Sequence, residues 1–203
     1  MANEILNIYS TGSGKMQGIP SINSDTTENE FCKKMYNSGR DDIICTECYS
    51  MTMLKTFRKN ARPKFKKVGE VLSTTILPTE ILPKAPNVIN RLHSHGELIN
   101  TTHLHNFFNI VEREPNKVFS LWTKRKDFVY KVLKERDKPK NLILIYSNPA
   151  INCIIETPPK HFDKVFNNVT FDSEIVNCRG KCIDCLKCYT ITDKTKSIVE
   201  VKK

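Results

Sequence analysis

"VINRLHSHGELINTTHLHNFFNIVEREPNKVFSLWTKRKDFVYKVLKERDKPKNLILIYS", residues 88–147, changes its apolar period four times. "VINRLHS" (88–94) has the length and β-branched content of a strand. "THLHNFFNIVERE" (102–114) spaces its apolar residues as one face of a helix and stops before Pro115. "KVFSLWT" (117–123) reads as a strand, "DFVYKVLKER" (127–136) as a helix, and "NLILIYS" (141–147) as a strand buried on both faces. Strand, helix, strand, helix, strand with short links predicts a parallel sheet with crossover helices. Function in such sheets gathers at the carboxyl ends of the strands, which singles out "HSHGE", "TKR" and "SNP".

Outward from this core the pattern weakens. Residues 1–30 are polar and turn-rich, and "STGSGKM" fails as a phosphate loop because the spacing needs Gly at Tyr9 and Ser or Thr at Met16. "CTECYSMTMLKTFRKNARPKFKKVGEVL" (45–72) has helical character on either side of Pro63, which should break or begin a helix. After Pro158 and Pro159 the alternation fades. The expected organisation is one domain over residues 1–203: a loop-rich leading segment (1–50), an α/β core (51–160) and a C-terminal cysteine-rich loop (161–203). A complete eight-fold barrel takes about 250 residues, so a partial, barrel-like parallel sheet is expected.

At 203 residues and 39% hydrophobic content, the chain is expected to be globular and not disordered. Its start has no basic region followed by an apolar one, and no stretch approaches the roughly 18 apolar residues of a membrane span. The expectation is a cytoplasmic protein with no membrane partner, in a reducing compartment where cysteines serve as metal ligands or redox groups. A formal charge of +10 makes nucleic acid a candidate partner, beside host protein. The oligomeric state is not legible.

The eight cysteines are unevenly spread. "CRGKCIDCLKC" holds Cys178, Cys182, Cys185 and Cys188, spaced C-x3-C-x2-C-x2-C. Such short gaps fold a backbone around one compact ion or cluster, and a tight C-x2-C-x2-C run leans toward iron and sulfur. A 4Fe-4S cluster is the first expectation, with zinc as the alternative. Cys32, Cys45 and Cys48 form a second group near the N-terminus, in which "CTEC" could be half of a zinc ribbon completed by Cys182 and Cys185. Three cysteines without an obvious fourth would also suit a cluster with one iron open. Cys153, in "AINCIIE", reads as a buried thiol.

Four of the five histidines lie in "HSHGELINTTHLH". H-x-H on a strand puts His93 and His95 on one face, whereas His103 and His105 diverge on a helix and read as packing or surface residues. His95, Glu97 and Lys124, at strand ends, are the candidate catalytic or binding residues.

In order along the chain, "GKMQGIPSIN", "CTECYS", "RLHSHGEL", "FSLWTKR" and "KCIDCLKC" resemble the bacteriophage family called gene product eighty-eight, over most of residues 7–190. The chain departs from that family in the longer gap between Cys32 and Cys45, and in having His95-Gly96-Glu97 where the family has Ser-Gly-Asp. A phage origin would place the protein in the host cytoplasm. A looser similarity to radical SAM enzymes implies that Cys32, Cys45 and Cys48 hold a 4Fe-4S cluster. It also implies that Glu97 meets the amino group of S-adenosylmethionine near the open iron, and that the C-terminal cysteines hold an auxiliary cluster.

Overall fold

A computed structural model describes residues 8–202; the first seven residues of the leading segment and Lys203 lie outside the described residues. Seven strands form one sheet in chain order: β1 (Tyr9–Ser10), β2 (Ser21–Ile22), β3 (Ile89–Leu92), β4 (Val118–Thr123), β5 (Leu142–Ile151), β6 (Lys164–Val169) and β7 (Ser197–Val201). Only β1 and β2 are antiparallel, and every later pair is parallel. The sheet does not close on itself, as the partial-barrel expectation required. The expected core elements are all present. The helix begun by Pro63 is α3 (Arg62–Thr74), and the strand–helix alternation runs through β3, α4 (Thr101–Glu112), β4, α5 (Lys126–Val132) and β5. Two shorter helices, α1 (Glu30–Tyr36) and α2 (Tyr49–Lys55), precede α3.

Alternation along each strand divides the side chains between two faces. Leu92, Phe119, Leu121, Leu142, Leu144 and Val165 pack outward against Phe107, Phe108, Ile110 and Val111 of α4, Val129 and Val132 of α5, and Val68 and Leu72 of α3. The opposite, concave face carries Trp122, Ile143, Ile145 and Ile198, and no long helix covers it. The loop between β6 and β7 does so instead, contributing Cys188 and Tyr189 and containing one short helix, α6 (Cys182–Cys185). The same loop seals the open edge at β7. Asn177 and Cys178 donate their N–H groups to the Val199 carbonyl at 3.1 Å, and the Val199 N–H donates to Asn177 Oδ1 at 3.0 Å, so this edge is not left bare for another chain.

Two expectations fail here. β3 ends at Leu92, so His93 and His95 do not share a strand face. His93 takes a left-handed φ of 64° and turns into the helix-side core, where its ring meets those of His103 and Phe107 at 5.1 and 5.0 Å. Cys153 is exposed, because β5 ends at Ile151 and the chain turns out through Asn152 at φ 58°.

The buried histidines make stability depend on pH. Burial chiefly, then the charges of His103 and Arg91, keep His93 from taking a proton, and burial holds His103 down at about 3. Unfolded histidine titrates near 6.5, so below that pH the unfolded chain binds more protons. The stability these two residues contribute is complete above about pH 6.5 and is lost as pH falls, by up to about 1.4 kcal/mol per pH unit for each. His103→Leu removes one of these protons. Urea midpoints measured from pH 7.5 to 5 should therefore fall less steeply in the variant than in the parent, and parallel slopes would contradict this.

Candidate functional site

The carboxyl end of the sheet is built around the loop that follows β3. Asn23, just past β2, accepts the N–H groups of Ser94 and His95 on its Oδ1 at 2.8 and 2.9 Å, and Thr26 accepts that of Gly96 at 2.8 Å. Gly96 has a φ of 85°, and a Cβ there would lie 2.5 Å from the Ser24 carbonyl oxygen, so the two loops approach this closely only through glycine. Glu97 follows, fully enclosed. Thr123 Oγ1 donates to its Oε1 at 2.5 Å and the Leu98 N–H to the same oxygen at 2.8 Å, while the Lys124 N–H reaches Oε2 at 2.8 Å. The carboxylate thus ties the end of β3 to the end of β4. Burial raises its pKa, and Lys124, the Thr123 hydroxyl and the two backbone donors oppose that rise.

His95 is buried beside this clamp. Arg58 Nη1 lies 3.3 Å from its Nε2 and Ser50 Oγ lies 2.7 Å from its Nδ1. A guanidinium can only donate, so Nε2 accepts and the ring proton sits on Nδ1, donating to Ser50. Ser50 and Thr26 are 2.5 Å apart, which continues the chain to the Gly96 N–H. Burial, reinforced by Arg58 and Arg91, lowers the His95 pKa to about 4, so the ring stays neutral and locks α2 to the β3 loop.

α2 matters because Cys48 is its N-cap residue. Cys45 sits in the preceding turn, Ile44–Glu47, and Cys32 lies in the first turn of α1, its N–H donating to the Asn29 cap at 3.1 Å. The intervening loop is pinned to the far end of β5 by an antiparallel bridge, Ile43 to Ala150, and by the Ile151 N–H donating to the Asp42 carbonyl at 2.8 Å. These anchors bring the three thiols within electrostatic reach of one another. Burial is the main cause that pushes Cys32 up, followed by Glu97, with Lys124 opposing and Cys48 and Cys45 adding to the rise. Burial also raises Cys45, against Lys124 and with Cys48 and Glu97. Lys124 Nζ donates to Ser147 Oγ at 3.1 Å, and no carboxylate among the described residues forms an ion pair with it. Burial opposes its charge, but Cys45, Glu97, Cys48 and Cys32 outweigh that and raise its pKa.

The second group lies on the concave face. The Cys188 carbonyl accepts the Ser120 hydroxyl from β4, and the Tyr189 ring lies 5.7 Å from that of Trp122. Burial pushes the Cys188 thiol up to about 12, with Cys178 and Cys182 adding and Arg91 and Lys164 opposing. Cys182 is raised by burial and by Cys178, against Arg91 and Lys15. Lys15 Nζ donates to Cys178 Sγ at 3.1 Å and to its carbonyl at 2.9 Å, and pairs with Glu200 at 2.5 Å. The residue that would have been the phosphate-loop lysine therefore serves the C-terminal cysteines. Cys185 is exposed at the rim.

Within each group the thiols act on one another, Cys48 on Cys45 and Cys178 on Cys182. Among the described residues, no three His, Cys, Asp or Glu side chains stand close enough about one point to hold a single metal ion. His105 lies at the surface, 3.1 Å from Glu135. The sequence reading missed Asn23, Thr26, Lys15 and Ser147, none of which carries a motif of its own. The glycine contact yields a direct test: Gly96→Ala should cost about 2–3 kcal/mol in urea unfolding, and a loss under about 0.5 kcal/mol would show that the two loops can separate freely.

No helix among the described residues is long and apolar enough to cross a membrane. No curated protein and no solved structure matches the chain. The model of one family, Gene product 88, matches residues 11–191, a span that holds both cysteine groups, the Glu97 clamp and Lys124. The chain belongs to the Gene product 88 family of phage proteins.

Proposed function

We propose that this is an iron–sulfur protein of the infected host's cytoplasm. It would carry a 4Fe-4S cluster on Cys32, Cys45 and Cys48 and a second centre on Cys178, Cys182, Cys185 and Cys188, and would serve redox or radical SAM-like chemistry. An imbalance of charge supports the reading. Lys164, buried on the concave face, is fully paired: its Nζ reaches Asp193 Oδ1 at 2.7 Å and the carbonyls of Thr195 and Asp193 at 2.8 and 3.1 Å. Lys124 forms no ion pair of that kind: Glu97 acts on it at longer range, and it faces a group of thiols of which burial raises Cys32 and Cys45 toward the neutral form. An enclosed ammonium is costly unless negative charge faces it. Metal binding deprotonates cysteine and would add the charge of the thiolates to that of Glu97.

The donor set fits a cluster better than a lone ion. Cys32, Cys45 and Cys48 do not close on one ion as they stand, whereas a cubane distributes its ligands over several irons. When bound, a 4Fe-4S cluster supplies one-electron transfer and, with three protein ligands, leaves one iron open to a small ligand. Lys124 would hold positive charge beside the thiolates. An ionised carboxylate has about four acceptor sites, and Glu97 uses three of them internally, which leaves room for one further donor such as the amino group of S-adenosylmethionine. His95 positions α2, and with it Cys48.

Anaerobic purification with iron, sulfide and zinc analysis tests this. Brown protein with iron and sulfide in equal amounts is expected, and colourless protein with stoichiometric zinc would overturn the reading. In the iron form, Lys124→Met should lower the reduction potential of one centre by about 60 mV, roughly 1.4 kcal/mol, because a cation favours the more negative reduced state. An unchanged potential would remove Lys124 from the site. Absence of S-adenosylmethionine binding and turnover under reduction would leave the redox form alone.

A structural or regulatory metal protein is the second reading, and one surface favours it. Residues 49–69 hold seven cations, Lys55, Arg58, Lys59, Arg62, Lys64, Lys66 and Lys67, and no acid of their own, with Phe57 73% exposed among them; Asp25 and Glu28 pair with Arg62, and Glu70 with Lys66. Such a surface suits nucleic acid, whose binding should weaken steeply with salt.

A further inference from the structure

We propose that Arg91 anchors a binding site for a small molecule bearing an oxyanion, a carboxylate or a phosphate, in the mouth of the concave face between the two cysteine groups. The inference stands on the chain's own side chains and does not depend on a cluster being present.

Arg91 is the third residue of β3, on the concave face beside Ser120 of β4. Its guanidinium lies 3.7 Å from the centre of the Trp122 ring, and its Nε donates to the His93 carbonyl at 3.1 Å. No carboxylate among the described residues forms an ion pair with it. Stacking on an indole covers the flat face of a guanidinium and leaves the in-plane N–H edge, the fork that fits a carboxylate or phosphate with two parallel hydrogen bonds. Glu200, the acid that acts on Tyr49 and Cys182, is already taken by Lys15 at 2.5 Å.

A second observation points to the same place. The Tyr189 hydroxyl is buried, in a residue only 3% exposed, and faces the Arg91 guanidinium without a well-formed hydrogen bond to any group among the described residues. Buried hydroxyls are nearly always satisfied, so a hydroxyl held this loosely beside a cation without a carboxylate partner suits a polar ligand that bridges the two. Tyr49 lies on the other side, its hydroxyl donating to the Ser94 carbonyl and its ring 54% exposed. Both tyrosines, each following the last cysteine of its group, are within electrostatic reach of Arg91, as are the thiols of Cys182 and Cys188. Lys124 acts on Tyr49, as Arg91 does, so a second positive charge is felt at the mouth. Ligands of open parallel sheets sit at this level, just past the carboxyl ends of the strands.

Trp122 is the single tryptophan of the chain and reports on the stacked guanidinium directly. The purified full-length protein is titrated at constant ionic strength with inorganic phosphate and pyrophosphate in one arm and with succinate and glutamate in the other. Tryptophan emission and calorimetry are followed in parallel. Saturable binding in either arm, with a dissociation constant in the millimolar range or tighter, is the expected result, and the arm that saturates names the ligand class. Arg91→Lys, which keeps the charge and loses the fork, should weaken it about tenfold, and Tyr189→Phe several-fold. Tyr189→Phe removes a hydroxyl whose interaction is with Arg91 alone and is not a well-formed hydrogen bond, so the variant should still fold with the guanidinium stacked on Trp122. No saturation in either arm, or unchanged affinity in both variants, would overturn the proposal and leave Arg91 as the counter-charge of Cys182.

Discussion

An open parallel sheet has two faces to bury and, here, helices for only one of them. Parallel strands are covered on both sides in stable proteins, so the concave face needs a second layer. The loop from β6 to β7 supplies it, placing Cys188 and Tyr189 against Trp122, Ile143, Ile145 and Ile198 while Asn177 seals the β7 edge. The cysteine-rich segment is therefore part of the core as well as a candidate site. Any metal it binds adds its binding free energy to folding, because the layer it organises is the one the sheet lacks.

The carboxyl end follows a similar economy of parts. Gly96 lets the loop after β3 touch the loop after β2, and Glu97 ties β3 to β4. His95 carries the constraint to α2 through Ser50, so the position of Cys48 is set by residues far from it in sequence. The two cysteine groups meet this frame from opposite ends of the chain. Between them lie Arg91 and Lys124, neither of which forms an ion pair with a carboxylate among the described residues, in contrast to the fully paired Lys164.

Much of this frame was legible in the residues. The switch of period between 88 and 147 predicted β3, α4, β4, α5 and β5, because each element is long enough to show its repeat. β2 was hidden since it has two residues, too few for any period, although it aligns the loop that holds Gly96. The spacing of Cys178, Cys182, Cys185 and Cys188 marked them as a group, whereas the convergence of Cys32 with Cys45 and Cys48 depends on anchors at Asn29, Ile43 and Ala150 that no local pattern reveals. His93 was misplaced for a related reason: a single left-handed residue redirects a side chain, and only Gly advertises that conformation in sequence. Asn23 and Lys15 act through long-range hydrogen bonds whose partners are more than seventy residues away.

The central claim is that the chain holds two separate thiol centres, one at the carboxyl end of the sheet and one on its concave face. The most direct measurement counts iron and sulfide, per folded chain purified without oxygen, in the parent and in a variant carrying Cys32→Ala, Cys45→Ala and Cys48→Ala together. Two independent centres predict that the variant keeps the C-terminal iron and loses only the N-terminal share. A variant that loses all of its iron, or a parent that holds none, would contradict the claim.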